Sequence, residues 1–429
     1  MHPERLSASA AARAIRAGTL KASELLEACL ERIAAREGEV QAWEQWDVER
    51  ARAEARRLDC VPPSGLLHGI PIGVKDIIDT LDFPTACGSP IYQGRRVAAD
   101  AACVALARRA GAIILGKTVT TEFAYFSPGR THNPHAPGHT PGGSSSGSAA
   151  AVADCMVPVA LGTQTAGSIT RPASYCGVVG YKPSFGDFSL AGVKSLAPSL
   201  DTLGTLTRCV EDAALLRAVL LGDGKAPVLP ALPVLPQAPR IALCRTPSWP
   251  LAEPSTQAGI EDSAARLARR GARLGEVTLP PLCTGLVEAQ KRIMAYEAAR
   301  SLAFEYDRHG ARLSAPLREL IELGMGLPRA DYLAALAVAE QSRTQVAALF
   351  GEWDALLAPA APGEAPAGLG ATGDPVFSRM WTLLGLPSVA LPAFRGAHGL
   401  PVAIQVLGPL RADDRLLAVA QWVEAALAG

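Results

Sequence analysis

The chain has 429 residues, of which 49% are apolar and 19% charged, so it can bury a large core and global disorder is excluded. Its 41 basic and 41 acidic side chains give a formal charge of zero, which argues against a nucleic-acid partner because such proteins normally carry a basic excess. No secretory signal is visible, and no apolar run reaches the roughly 20 residues of a membrane span. We therefore expect a compact cytoplasmic enzyme with no membrane partner.

Cysteine usage supports the same compartment. The nine cysteines are scattered and form neither a CxxC nor a CxxH pair, so we expect reduced thiols rather than disulfides or a zinc site. Three histidines lie close together in a Pro-rich loop, but no acidic residue accompanies them, and we expect no metal there (His132, His135 and His139). No cofactor is expected.

The first half of the chain changes from helical periodicity to alternating strands and helices. Residues 1–65 carry apolar positions at helical spacing and predict an N-terminal helical layer. A short apolar strand then leads to Lys75, and a helix over 101–109 precedes a buried strand over 112–115. This alternation predicts an α/β protein whose catalytic core spans 66–225.

The second half is less regular. A Pro-rich stretch over 227–239 predicts a surface crossover, and a strand restarts at 240–244. Residues 226–350 are mainly helical and are expected to form a variable region that shapes the substrate pocket. Residues 351–429 predict closing strands and a terminal helix. We interpret the whole chain as a single domain.

Two loops rich in small residues, 142–148 and 162–168, are the main candidates for chemistry. For the first, a flexible linker is an alternative, but apolar sequence flanks it directly. A phosphate loop would need a lysine at its end, and none is present. The stretch also matches the G-x-S-x-G pattern with Ser145 at its centre, but no strand leads into it, which weakens that interpretation.

The second loop could supply both a serine nucleophile and an oxyanion site. A serine attacks an amide only when a base removes its proton and donors await the oxyanion. Small residues let the backbone N–H groups approach an oxygen closely, which makes Thr165, Ala166, Gly167 and Ser168 candidate donors. None of the seven histidines lies in a recognisable triad setting.

Lys75 is the candidate base. It follows an apolar run, and desolvation of a buried lysine lowers its pKa toward neutrality. The alternative is a buried ion pair with Asp76, and the residues alone leave the two possibilities open. Lys117, which follows another apolar strand, raises the same question more weakly.

Taken in order, these segments resemble the amidase signature family. The pattern runs from Gly-Gly-Ser-Ser through Gly-Thr-x-Thr-x-Gly-Ser-Ile to Pro-Ala, Cys-Gly and Lys-Pro. In this chain it is Gly142-Gly-Ser-Ser, Gly162-Thr-Gln-Thr-Ala-Gly-Ser-Ile169, Pro172-Ala173, Cys176-Gly177 and Lys182-Pro183. The resemblance covers most of the chain and is weakest between about 225 and 350.

The resemblance implies a fold and a mechanism. The fold is α/β, a large twisted mixed β-sheet between layers of α-helices. The catalytic residues are Lys75 as base, Ser144 as the relay serine next to a cis peptide bond, and Ser168 as nucleophile. The activity is amidase chemistry, hydrolysis of a linear amide C–N bond other than a peptide bond, through an acyl-enzyme.

Three positions depart from the family pattern. Gln164 replaces the usual Asp, Ala166 replaces a Gly, and Thr170 replaces an Arg, which appears one place later as Arg171. These changes put the local support of the loop in question rather than the triad. Tyr125, Gly143 and Trp381 are candidate substrate-binding residues, with plain core packing the alternative for the aromatic pair.

The leading hypothesis is a stand-alone amidase acting on a small or aryl amide or a carbamate. One alternative is the glutaminase-type subunit of a tRNA-dependent amidotransferase, and another is a non-catalytic scaffold. The expected partner is the small-molecule substrate, and a homodimer is a candidate assembly.

Overall fold

One mixed sheet of eleven strands runs through the molecule, in a computed structural model that describes residues 2–226 and 228–428. Pro227, the first residue of the predicted crossover, lies outside the described residues, as do both terminal residues of the single domain proposed above. The strands are β1 (Trp43–Trp46), β2 (Pro71–Lys75), β3 (Ile113–Thr118), β4 (Val159–Gln164), β5 (Val179–Lys182), β6 (Thr202–Thr207), β7 (Arg240–Cys244), β8 (Arg273–Val277), β9 (Ala355–Pro359), β10 (Ser388–Arg395) and β11 (Pro401–Leu407).

The strand order is β1-β3-β2-β4-β6-β5-β10-β11-β9-β7-β8. The central strands from β4 to β9 pair antiparallel, and each flank carries a parallel group, β3-β2-β4 on one side and β9-β7-β8 on the other. Because β2 and β4 are parallel neighbours, their carboxyl ends lie at the same edge of the sheet.

Helices cover the sheet. They are α1 (Ala8–Arg16), α2 (Ala22–Val40), α3 (Val48–Asp59), α4 (Ala102–Arg109), α5 (Ser146–Ala153), α6 (Thr170–Cys176), α7 (Val210–Ala218), α8 (Pro254–Arg269), α9 (Leu286–Ser301), α10 (Ala303–His309), α11 (Ala315–Gly326), α12 (Arg329–Ala347), α13 (Val376–Leu383) and α14 (Asp413–Ala428). Of the helices in the described parts of the chain, none has the length and apolarity needed to cross a membrane.

The sheet separates two hydrophobic cores. Successive side chains of a strand point to opposite faces, and in β3 Ile114 belongs to one cluster while Ile113 and Leu115 belong to the other. The same alternation holds in β4, where Leu161 and Ala160 lie in different clusters. The sheet is therefore covered on both faces, which confirms the expected α/β architecture.

Helix α5 shows why the first small-residue loop is not a linker. All of its residues from Ser146 to Val152 are buried. A Cβ atom on Gly147 would lie 2.1 Å from the carbonyl oxygen of Ala42, so only glycine permits this close approach between helix and sheet. Small residues are needed here because the helix packs directly on the strands.

Four strands were not predicted, namely β5 and β6 within the catalytic core and one strand at each edge of the sheet. The segment expected as a purely helical N-terminal layer contains β1, which pairs antiparallel with β3 at one edge of the sheet. The 226–350 region contains β8 at the other edge, parallel to β7. Both are short edge strands with a mixed polar pattern, β1 being Trp-Glu-Gln-Trp, so their pairing depends on the neighbouring strand rather than on a readable periodicity.

Candidate active site

The candidate catalytic residues meet at the carboxyl ends of β2 and β4. Lys75 is the last residue of β2, and β4 ends at Gln164, where the 165–168 turn begins. In the parallel pairing Val74 lies opposite Leu161. The strand register therefore brings Lys75 next to the second small-residue loop, although the two are separated by about 90 residues of chain in the sequence.

Lys75 is fully buried and is held by hydroxyl groups. Its Nζ lies 2.6 Å from Ser144 Oγ and 2.8 Å from Thr163 Oγ1, and it forms no ion pair with a carboxylate in residues 2–226 or 228–428. Burial lowers the pKa of Lys75 from 10.5 to about 7, and the negative charge of Asp201 opposes this shift only in part. A large fraction of this lysine is therefore neutral near pH 7.

The ion pair with Asp76 that was considered for Lys75 is formed by a different lysine. Asp76 pairs with Lys117, whose Nζ lies 3.0 Å from the carboxylate, and both side chains are buried. Burial raises the pKa of Asp76 to about 6 despite the nearby Lys117 charge. Because Lys117 supplies the cation for Asp76, Lys75 is left to contact Ser144.

Ser144 is held by the loop that precedes α5. The peptide bond between Gly143 and Ser144 is cis, and the Ser144 side chain is buried. The next residue ties this loop to the nucleophile loop, since the Ser145 N–H donates to the carbonyl oxygen of Ser168 at 3.3 Å. The two serines thus belong to loops that are in direct backbone contact.

Ser168 ends a turn whose backbone donors are free. The N–H groups of Thr165, Ala166, Gly167 and Ser168 donate to no acceptor among the described residues. Ser168 and Ala166 also line the cavity described below. Free N–H groups at the end of a turn, next to a serine hydroxyl, form a donor set of the kind that binds an oxyanion.

Gln164 organises this turn. Its Oε1 accepts hydrogen bonds from the N–H groups of Ile169 at 2.9 Å and Thr170 at 3.1 Å, on the far side of the turn. Its Nε2 donates to Thr382 Oγ1 at 2.9 Å, and that hydroxyl lies 2.7 Å from the carbonyl oxygen of Ala166. A neutral amide therefore supports the loop at the position where the family pattern has a carboxylate.

A small cavity opens over the two serines. Two serines, three threonines and Arg171 supply its polar groups, and aromatic and aliphatic side chains supply the rest. The lining residues are Thr121, Ala124, Tyr125, Phe126, Ser144, Thr165, Ala166, Ser168, Arg171, Leu196, Met294, Thr372 and Pro375.

The structure places the three candidate substrate-binding residues differently. Tyr125 lines the cavity, and its ring packs edge-to-face on Phe126 at 4.8 Å. Gly143 contributes its carbonyl oxygen to Arg171. Trp381 is fully buried in the main hydrophobic core and is not a lining residue.

The sequence analysis did not identify the residues that hold Thr165 at the start of the nucleophile turn. Arg379 and Gln290, from α13 and α9, form a hydrogen-bonded chain that ends on the carbonyl oxygen of Thr165. Asp201 accepts the Thr165 hydroxyl at 2.5 Å and the backbone N–H groups of Leu196 and Ala197. Asp201 belonged to a matched motif segment, but nothing in the local sequence assigned it this contact.

No histidine is among the residues that line the cavity. His135 Nε2 is 2.8 Å from the carbonyl oxygen of Cys176, and His132 Nδ1 accepts the Gly138 N–H. In the described ranges no three His, Cys, Asp or Glu side chains are grouped as a metal site.

Comparison with known proteins gives consistent results. Residues 24–417 match the family model described as Amidase. The chain is 32% identical to the 2-amino-5-chloromuconic acid deaminase of Comamonas testosteroni, with 99% of this chain and 97% of that protein aligned. It is 36% identical to a glutamyl-tRNA(Gln) amidotransferase subunit of Symbiobacterium thermophilum, over 97% of this chain and 95% of that protein.

A solved structure agrees with these sequence matches. A crystal structure of an amidase superposes with a TM-score of 0.89 at 32% identity, covering 98% of this chain and 100% of the other. The similarity therefore extends over nearly the full length of both chains.

Proposed function

The chain belongs to the amidase family, and we propose that it hydrolyses the C–N bond of a small or aryl amide, or of a carbamate, through a Ser168 acyl-enzyme. The observation that carries this proposal is the 2.6 Å contact between Lys75 Nζ and Ser144 Oγ, made by a buried lysine without a carboxylate partner among the described residues. A lysine in this setting is available as a base near neutral pH.

The proton path runs through Ser144. Neutral Lys75 keeps a hydrogen bond from Nζ to Thr163 Oγ1 and accepts the Ser144 hydroxyl proton on its lone pair. Ser144 Oγ in turn takes the proton of Ser168 Oγ, which attacks the carbonyl carbon. The proton held on Lys75 then returns through Ser144 to the leaving nitrogen, the C–N bond breaks, and water hydrolyses the ester by the same path.

In this proposal the turn that ends at Ser168 binds the oxyanion of each tetrahedral intermediate. The free N–H groups of residues 165–168 can point at one oxygen because the turn is fixed on both sides. Gln164 holds its far end and Asp201 holds Thr165. Donors fixed before the reaction stabilise the developing charge without reorganisation.

Chemical labelling tests the nucleophile. A fluorophosphonate probe is expected to label Ser168, and Ser168→Ala is expected to lose labelling and roughly 10³-fold or more in kcat. Ser64→Ala, which changes an exposed serine, is the matched control and should label as the parent does. Labelling that persists in the Ser168→Ala protein would assign the nucleophile elsewhere.

A second candidate function follows from the similarity to the amidotransferase chain of Symbiobacterium thermophilum. In that case the chain would act as a glutaminase within a complex. A panel of anilides, aliphatic amides, carbamates and esters, assayed on the purified chain alone, separates the two functions. Turnover of a simple amide supports the stand-alone amidase. No turnover alone, with glutaminase activity on addition of partner proteins, would favour the role within a complex.

A further inference from the structure

A glutamine from the variable helical region holds the turn that carries the candidate oxyanion donors. Gln290 lies on α9 and is fully buried, and its Nε2 donates to the carbonyl oxygen of Thr165 at 3.0 Å. Gln290 is not among the residues that line the cavity. The Thr165 carbonyl therefore points away from the cavity and into the protein.

The direction of this carbonyl sets the direction of the next N–H group. The carbonyl of Thr165 and the N–H of Ala166 belong to one planar peptide unit, which is trans, so the two groups point in opposite directions. Ala166 lines the cavity, and its N–H has no acceptor among the described residues. By holding the carbonyl toward α9, Gln290 directs the Ala166 N–H toward the cavity, where an oxyanion would bind.

Arg379 decides which end of the Gln290 amide faces Thr165. The amide has an accepting oxygen and a donating nitrogen, and a half-turn of the group exchanges them. Arg379 Nη1 donates to Gln290 Oε1, and a guanidinium has no acceptor to offer. In the reversed orientation two oxygens would meet at Thr165 and two donors at Arg379. The arginine therefore fixes the orientation in which the amide nitrogen donates to Thr165.

Packing alone does not account for this chain of polar groups. Arg379 lies on α13 and is 6% exposed, and it forms no ion pair with a carboxylate in residues 2–226 or 228–428. Burial of a cation without an acidic partner is costly, and apolar side chains would fill the same space more favourably. A role at the adjacent turn gives a reason for keeping these two polar residues.

We propose that Gln290 is a positioning residue that aims the Ala166 N–H at the oxyanion, and that Arg379 holds its amide in the required orientation. The proposal rests on the amidase function proposed above and deepens it. A full negative charge forms on the substrate oxygen only during the reaction, so a well-aimed donor stabilises the tetrahedral intermediate more than the bound amide. Loss of the aim should therefore lower kcat and leave KM little changed.

Gln290→Glu tests the direction of the donor at nearly constant volume. A carboxylate at this position still accepts from Arg379, but it has no N–H for the Thr165 carbonyl and repels that oxygen. We expect kcat for the amide that the parent hydrolyses best to fall about 10-fold or more, with KM within about twofold of the parent value.

A second readout does not depend on amide turnover. The phosphoryl oxygen of a fluorophosphonate takes the place of the oxyanion when the probe reacts with Ser168, so its labelling rate should also fall in Gln290→Glu. Gln341→Glu, which adds the same charge at an exposed glutamine on α12, is the control and should match the parent in both readouts.

Variants of Arg379 test the second link. Arg379→Met removes the donor and frees the Gln290 amide to turn, so kcat and the labelling rate should fall. Arg379→Lys should recover part of that loss, because an ammonium group also has donors only. If the Gln290→Glu protein does not fold, this pair of variants decides. Activities that follow the denaturant midpoints alone, with no recovery in the lysine variant, would reduce the chain to a structural role.

Each outcome separates this inference from the proposed function. If the parent hydrolyses an amide and folded Gln290→Glu keeps kcat and the labelling rate within about twofold, the positioning role is overturned while the amidase function stands. If the parent hydrolyses no amide but labels at Ser168, the amidase function is rejected, and the labelling rates still decide the role of Gln290. A parent with neither property overturns both.

Discussion

Lys75 illustrates how a single residue acquires its chemistry from its surroundings. A lysine in water is protonated at neutral pH, whereas burial without a carboxylate partner lowers the pKa of this one to about 7. The neighbouring acid that could have kept it charged, Asp76, pairs with Lys117. The state of the candidate base therefore depends on which of two lysines the fold places beside one aspartate.

The pH dependence of catalysis follows from this pKa. Because the base form of Lys75 is the deprotonated one, kcat/KM for an amide should rise as pH increases through about 7 and level off at mildly alkaline pH. A pH–rate profile, and the rate of Ser168 labelling by a fluorophosphonate over the same range, should show the same midpoint.

A matched substitution assigns that midpoint. Lys75→Met keeps the length of the side chain but removes the base, so both the rise and most of the activity should be lost. A Lys75→Met enzyme with near-normal turnover at neutral pH would contradict the assignment, as would a parent profile that stays flat between about pH 6 and 9.

At the scale of elements, close packing of α9 and α11 fixes one wall of the cavity. Helix α9 carries Met294, which lines the cavity, and Gln290, which supports the carbonyl oxygen of Thr165. On α11, Gly324 is buried against α9, and a Cβ atom built there would lie 1.8 Å from the carbonyl oxygen of Ala295. Only glycine allows the two helices to approach this closely.

Alanine substitutions on α11 test this packing. Gly324→Ala should lower the free energy of unfolding by about 1–3 kcal/mol, since the helices must move apart. Gly326→Ala is the control on the same helix, because a Cβ there meets nothing within 4 Å. That variant should be unchanged or more stable by up to about 1 kcal/mol. Equal denaturant midpoints for both variants would show that the contact is unimportant.

For the whole molecule, the sheet joins the two halves of the chain. Parts of the crossover over residues 228–238 are exposed, with Val234 92% exposed, yet the strands after it return to the sheet of the first half. Strand β10 pairs with β5, placing Ser388 opposite Lys182, and Glu424 on α14 accepts the Val210 N–H at the start of α7. These contacts support the single domain that we propose for the chain.

Cleavage of the chain at the crossover tests whether the two halves form a single domain. Limited trypsin treatment is expected to cleave after the exposed Lys225 and give two fragments on a denaturing gel. They should still co-elute in gel filtration, because the shared sheet and core hold them together. Lys225→Gln is the control and should remove this cut. Fragments that separate under native conditions would mean that the chain forms two independent units.

Many of the helices and strands, and the main candidate site residues, can be predicted from local sequence. Strand and helix alternation over 66–225 and the helical run over 285–350 are read from periodicity, because burial on one face imposes it. The small-residue loops and the buried lysine identify the site, because close backbone approach and a neutral amine require those residue types. The edge strands β1 and β8 could not be predicted from the sequence, since their pairing depends on neighbours distant in sequence.

Only the tertiary structure decided which groups meet. The contact between Lys75 and Ser144 spans 69 residues of chain, and the support of Gln164 by Thr382 spans 218. Tertiary packing also placed Trp381 in the core and left Arg171 buried without an acid among the described residues. The residue types and their order were determined by the sequence itself. Long-range packing determined which groups each side chain contacts. It therefore also determined the protonation state of Lys75 and the charge of the cavity, because desolvation and pairing depend on every element around a side chain.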